Sequence, residues 1–369
     1  MDVVNDLVLP VLKVLAFGIG VLFVWFSVLS AIRTFVLPRT ARDPVARRVF
    51  LITRQFFNFR TRRAKTYLER DRIMELYAPI SLLLLLLTWL IGVLVGYMFL
   101  YWTFGITGWR TVFTVSGSSL LTLGFASVSD VMTTILAFSE AVIGLILVAL
   151  LISYLPTMYS AFSRREAVVS SLEVRAGSPP SAVEMIKRFY LIRGLDELDE
   201  VWIGWEAWFL DIEESHTSLG PLSFFRSPQP QHSWVTAAGA VLDAAAIYNS
   251  TLDIPKPSPR SQLCLRAGYI SLQQISTFFR LNYEPNPRPT DPISVTRAEF
   301  EVACDELAST GVPIKADRDQ CWRDFAGWRV NYDTVLLSLA ALTMSPEAPW
   351  SSDRSLRQYP PPRRKAGKV

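Results

Sequence analysis

The sequence predicts an all-α membrane protein: three transmembrane helices, a short re-entrant helix with an irregular strip behind it, and an all-helical cytoplasmic domain. Three observations carry this reading. Long uncharged apolar runs continue as far as Phe162, and the remainder has the composition of a soluble domain. A short amphipathic stretch, Trp109 to Leu121, leads into Thr122-Leu123-Gly124-Phe125-Ala126 between two of those runs. No alternating strand pattern persists anywhere in the chain.

The first span is read from about Val14 to Ile32, inside an anchor covering residues 1–37. Val28 to Ala31 resembles a signal-peptide cleavage site. A signal peptide opens on a basic region, however, and here Asp2 and Asp6 outweigh Lys13, so the span is read as retained. Residues 38–77 form a basic linker with Arg39, Arg42, Arg47, Arg48, Arg54, Arg60, Arg62, Arg63, Lys65, Arg70 and Arg72, preceded by Arg33. Its Phe56-Phe57-Asn58-Phe59-Arg60 stretch suits an interfacial helix and equally a solvated charged loop. The second span runs from about Pro79 to Phe104, and the third from Val131 to Phe162, broken only by Glu140. At 1.5 Å per residue that third run is roughly 48 Å long, so it should tilt or project beyond the bilayer.

Orientation follows from basic residues. The linker side is cytoplasmic. The segment between the second and third spans has only Arg110 and is external, and Arg164-Arg165 returns the chain inside. The expected location is the cell membrane, multi-pass, with the N-terminus outside and the C-terminal domain in the cytoplasm. Its three cysteines, Cys264, Cys304 and Cys321, are then reduced. The net charge of +4 is mild and concentrated at membrane edges, so nucleic acid is not an expected partner.

Gly108 to Leu121 makes about 21 Å of helix, enough to reach roughly the bilayer midplane. Its C-terminal carbonyls would favour a cation there. The chain must then return as exposed backbone, which membranes tolerate only inside protein or along a watery cavity. Gly124 stands where a positive φ would turn successive carbonyls toward one axis. Such a row of carbonyls can replace a cation's water, but one chain supplies one strip, so a ring needs several copies.

Ser119-Leu120-Leu121-Thr122-Leu123-Gly124-Phe125-Ala126 is similar to the potassium-channel signature T-x-x-T-x-G-[YF]-G. Thr122, Gly124 and Phe125 match, and Ser119 is a conservative replacement. The flanking spans resemble that family's outer and inner helices, so residues 78–165 are read as a pore module. The resemblance implies a homotetramer, with Thr122, Leu123, Gly124, Phe125 and Ala126 as the selectivity filter and a monovalent cation, K+ first, as the permeant ion. No cofactor is implied. Ala126 stands where the family has its second glycine. An alanine forced into the left-handed region costs about 1 kcal/mol or more, which predicts a differently shaped outer site. Ser127 replaces the usual acidic residue, with Asp130 three residues on as its substitute.

Glu140 has two readings. It attracts cations in the conduction path, or it braces the filter by accepting bonds from Ser116, Ser118 or Ser119. Bracing is favoured, because buried carboxylates find partners. Gly144 is a gating hinge or a site of close helix packing. Pro156 removes a backbone bond and is read as a gating kink. Arg110 is expected to pair with Asp130 or to lie at the headgroups. No arginine repeat supports a voltage sensor.

Residues 166–180 are read as a linker, with the inner helix continuing through Arg175 before Gly177-Ser178-Pro179-Pro180. Residues 181–345 form the helical domain, with helices over 182–193, 196–215, 232–250, 260–282, 296–309 and 317–343. Trp202, Trp205, Trp208, Trp234, Trp322 and Trp328 line a ligand pocket or, by preference, the core. Asp211, Glu213, Glu214 and His216 form a metal site or, by preference, a solvated helix end, so no metal is expected. No nucleophile–base pair is present, so no enzyme is expected. Residues 346–369, proline-rich and basic, are read as a disordered tail that could contact anionic lipid.

The expected function is a tetrameric, potassium-channel-like cation channel in the lipid bilayer, gated by its cytoplasmic domain through the inner helix. The alternative is a non-conducting membrane sensor or scaffold that retains this fold. In either reading the helical domain binds a ligand or protein that the sequence does not identify.

Overall fold

The computed structural model describes residues 2–37, 43–192, 194–254 and 258–354, with the side chains of 2–7 excepted. Arg39, Arg42, the charges of Asp2 and Asp6, and the tail from residue 355 lie outside the described residues. Among the described residues the protein is all-helical, with no strand beyond an isolated bridge between Leu252 and Ile314. Three helices are long and apolar enough to cross a membrane, which marks the chain as membrane-associated. The chain divides into two compact units, Met1–Arg63 with Leu76–Tyr159, and Ala64–Glu75 with Ser160–Val369.

The first unit contains α1 (Asp2–Phe35), α2 (Pro44–Thr61), α4 (Tyr77–Thr103), α5 (Trp109–Leu120) and the first part of α6 (Val131–Ala176). The basic linker is therefore helical where the sequence left a loop open. Asp43 caps α2 by accepting the Ala46 amide at 2.7 Å, and Pro44 opens the helix where its missing N–H matters least. The same Asp43 oxygen accepts Ser30 Oγ at 2.7 Å, and Ser30 Oγ in turn accepts the Trp89 indole N–H at 2.8 Å. This buried chain of bonds ties α1, the α2 cap and α4 together. Small residues let α1 and α4 approach closely: a β-carbon on Gly96 would meet the Gly20 carbonyl at 2.9 Å.

The second unit contains α3 (Tyr67–Glu75), the rest of α6, and α7 (Ala182–Ile192), α8 (Leu198–Ser218), α9 (Trp234–Thr251), α10 (Pro259–Phe278), α11 (Arg297–Ser309), α12 (Arg318–Arg329) and α13 (Asp333–Thr343). Helix α9 is buried on every side from Trp234 through Tyr248 and is apolar there except for Thr236 and Asp243. The other helices gather around it, and Trp202, Trp205, Trp208 and Trp234 lie in this core while Trp322 and Trp328 pack on its edge.

Several boundaries differ from the sequence reading. The single helix expected over 317–343 is two, α12 and α13, separated at Val330 to Tyr332. Arg329 is the reason. It is fully buried at the end of α12 and reaches Asp333 at 2.8 Å, Asp243 on α9 at 2.5 Å and the Trp350 carbonyl at 2.5 Å, the last two from elements distant in sequence. That last bond also holds residues beyond Pro346, so Ala348 and Ser351 are buried where a free tail was expected to begin. Arg165 is not an exposed membrane-edge charge. It is buried, bonding Glu166 at 2.8 Å and the carbonyls of Leu222 and Phe225 at 3.0 and 2.9 Å. Finally, α3 belongs to the second unit although it lies between helices of the first. Arg226 holds it, bonding Asp71 at 3.3 Å, with Tyr67 Oη donating to the same Asp71 oxygen at 3.2 Å. Helix α6 is thus not the one covalent route between units, because the chain also crosses at Arg63–Ala64 and Glu75–Leu76.

Candidate functional site

Helix α4 ends at Thr103, and the chain turns through Gly105 and Gly108, both at positive φ, into α5. Twelve residues form α5, and its buried face carries Val112, Val115, Ser116, Ser118 and Leu120. The serines are the departure from an ordinary apolar helix, and the structure gives each one a task.

Ser116 Oγ donates to Glu140 Oε1 at 2.5 Å, and Tyr101 Oη donates to Glu140 Oε2 at 2.9 Å. Tyr101 Oη also lies 3.4 Å from Ser119 Oγ. Glu140 is wholly buried, so α4, α5 and α6 meet on its carboxyl group. Ser118 holds the segment after the helix from two sides. Its carbonyl accepts the Leu123 amide at 2.8 Å, and its hydroxyl accepts the Ala126 amide at 3.1 Å. The Ser119 carbonyl accepts the Thr122 amide at 3.0 Å.

From Thr122 to Ala126 the backbone is neither helix nor strand. Thr122 has φ +54 and Gly124 has φ +72, so alternate residues enter the left-handed region. A glycine does this without penalty, whereas a threonine does it under strain. Ala126, expected to bear that strain, lies outside the left-handed region. The reason is local. The Ser118 hydroxyl draws in the Ala126 amide, while the tight turn closing α5 forces the reversal onto Thr122. Leu123 and Phe125 are 59% and 67% exposed, so among the described residues nothing covers this part of the strip, while Ala126 is half-buried against the core.

Gly144 lies against the end of α5, where a β-carbon would overlap the Leu120 carbonyl oxygen. Close packing explains this glycine. Helix α6 passes through Pro156 without interruption. Asp130 caps α6, accepting the Met132 amide at 2.9 Å, and forms no ion pair with Arg110 among the described residues. The carboxylates considered for a metal diverge: Asp211 pairs with Arg164 at 3.3 Å, Glu213 accepts Ser271 Oγ at 3.1 Å, and His216 is buried against the Trp234 ring.

Sequence reasoning missed Tyr97 and Tyr101. They stand four residues apart on α4 with their hydroxyls turned to one side, Tyr97 bonding Ser139 Oγ at 2.8 Å. Tyrosine pairs at that spacing inside an apolar run were the available signal, because a buried phenol needs a partner. Compared with known protein families, curated proteins and solved structures, the chain matches none.

Proposed function

We propose that four copies of this chain form a cation-conducting pore, with Thr122 to Ala126 lining its narrowest part and α5 as a re-entrant helix behind it. The observation that carries this reading is the exposed irregular strip, with its alternating positive φ at Thr122 and Gly124, held from behind by Ser118 and by the Glu140 network. Irregular backbone among membrane-spanning helices must be enclosed by protein or face water, and the described residues leave Leu123 and Phe125 uncovered. Carbonyls presented by four such strips would replace the hydration shell of a monovalent cation. Helix α6 adds a second line of support. Phe138, Leu145, Ile152 and Tyr159 are exposed at intervals of seven residues, and Ile135 and Val142 repeat the interval three residues earlier, the repeat by which helices pack side by side. The second unit, cytoplasmic in this reading, can bias the pore through α6 and through α3, which leads directly into α4.

The test is ion flux from the purified full chain in liposomes, with potassium compared against sodium, and the oligomer's mass measured in nanodiscs. A tetramer with flux that is lost in Gly124→Val supports the pore. A monomer or dimer overturns it, and an assembled tetramer without flux leaves a sensor or scaffold of the same architecture.

A further inference from the structure

Helix α2 presents two apolar faces, and only one is used by the rest of its unit. On the inner side Phe57 is buried, its ring 5.8 Å from that of Tyr77, and Tyr77 Oη donates to the Phe50 carbonyl at 3.2 Å. On the outer side Ile52, Phe56 and Phe59 are 67%, 58% and 56% exposed. Their spacing of four and then three residues makes one continuous stripe. Arg47, Arg48 and Arg60 lie on the same helix, and Arg62 and Arg63 follow its end. The Arg63 guanidinium sits over the Phe59 ring at 5.6 Å. Helix α2 contains no Asp or Glu, and none of these five arginines joins an ion pair among the described residues.

The position of this face identifies its occupant. Through Asp43 and Ser30 the start of α2 is bonded to the last turns of α1, and through Phe50 and Tyr77 its middle is bonded to the first residue of α4. Both α1 and α4 are long and apolar enough to cross a bilayer. Ser30 also bonds Trp89, so α2 starts level with Trp89 and passes Tyr77 at its middle, running outward beside the ends of the two spans and through headgroup depth. A second copy of α2 would bring arginines against arginines. An anionic phospholipid instead supplies acyl chains for the aromatic stripe and phosphate oxygens for the guanidinium groups, which bind them in paired bonds.

We propose that α2 is a binding site for anionic phospholipid, with Ile52, Phe56 and Phe59 in the acyl boundary and Arg48, Arg60, Arg62 and Arg63 on the headgroup phosphates. The site goes beyond the pore reading and does not depend on it, because lipid retention is read without ion flux. Full-length protein in detergent is titrated with phosphatidylglycerol or phosphatidylcholine, and retained lipid is counted by native mass spectrometry. Retention of phosphatidylglycerol should exceed that of phosphatidylcholine by about tenfold and should weaken as salt rises, since charges at the surface are screened. Replacing Arg48, Arg60, Arg62 and Arg63 together by glutamine should bring the two lipids to parity. An unchanged ratio in the folded variant overturns the proposal. A second measurement needs no arginine change. A nitroxide on Ile52→Cys, with Cys264, Cys304 and Cys321 all buried, is exposed to oxygen and to an aqueous nickel complex in phosphatidylglycerol vesicles. Greater access to oxygen supports the site. Free access to nickel, or protection from both reagents as a protein partner would give, overturns it.

Discussion

Glu140 in the first unit and Asp243 in the second are both completely or almost completely buried, yet opposite chemistry satisfies them. Glu140 is served by two neutral hydroxyls, Ser116 and Tyr101. Asp243 is served by the Arg329 guanidinium and by the Tyr332 hydroxyl at 2.8 Å. A hydrogen-bonded hydroxyl costs far less to take out of water than a cation does, so an apolar unit can fix a carboxyl group without burying a cation beside it. That suits a task of orientation, holding α5 and the strip behind it. A buried guanidinium is expensive to desolvate and reaches farther. Arg329 collects α9, α13 and the chain at Trp350 around a single group. The first network positions a loop, and the second closes a helical core.

The largest effect should come from removing the cation. Arg329→Ala leaves Asp243 and Asp333 buried together without their partner and should cost about 3–5 kcal/mol. Chemical denaturation of the full chain, followed by tryptophan fluorescence, measures it. A loss below about 1 kcal/mol would mean that water reaches these carboxylates and that the contrast between the networks is smaller than drawn.

Next comes Glu140→Leu, which takes the carboxylate acceptor from Ser116 and Tyr101, leaving Ser116 Oγ the Leu94 carbonyl at 3.1 Å and Tyr101 Oη only the long contact to Ser119, a loss of about 1–3 kcal/mol in all. Glu140→Gln should do far less, because an amide oxygen still accepts a bond. The oligomer's melting temperature and its conductance, taken together, separate two roles. Should both variants reduce conductance equally without lowering the melting temperature, the carboxyl group acts on the ion rather than on the fold.

His216 supplies a third term, a buried group kept neutral. Burial, and then the Arg165 guanidinium 3.3 Å away, hold its pKa well below the ordinary histidine value. The unfolded chain therefore binds a proton that the folded unit refuses. Stability should be full above about pH 6.5 and should decline as pH falls below it. Melts between about pH 7.5 and pH 5 should show that slope, with His216→Gln flattening it. An identical slope in the variant would assign the effect to another group.

The smallest effects test the strip itself. Thr122→Gly should stabilise by up to about 1 kcal/mol, since the left-handed region suits glycine. Ala126→Gly should change stability little. The reverse order in thermal melts would return the strain to Ala126.

Much of the fold was legible before any coordinates. The three apolar runs exceeded the length of a globular helix, and the helix read over 296–309 is present as α11, opened by a capping box of Thr296 and Glu299. Gly124 was readable as a positive-φ residue because turning successive carbonyls of an irregular strip toward one axis needs a residue without a β-carbon. Tyr97 and Tyr101 were not, because in a hydropathy profile a phenol counts as apolar and its hydroxyl goes unseen. The break between α12 and α13 was equally hidden. Apolar periodicity runs through Val330 unbroken, and only the distant Asp243 and Trp350 require Arg329 to turn inward.

The sequence by itself determined the all-helical class, the three long apolar helices and the short serine-rich helix before Thr122. Periodicity, length and local capping are properties of neighbours in the chain. Only the tertiary structure decided that Glu140 meets Ser116 and Tyr101, that strain falls on Thr122, that Gly144 makes room for Leu120, and that α3 joins the second unit through Asp71 and Arg226. Each of these depends on buried polar groups finding partners across helices. Such a pairing is selected by the cost of leaving a group unsatisfied, and that cost is incurred only once the helices have packed.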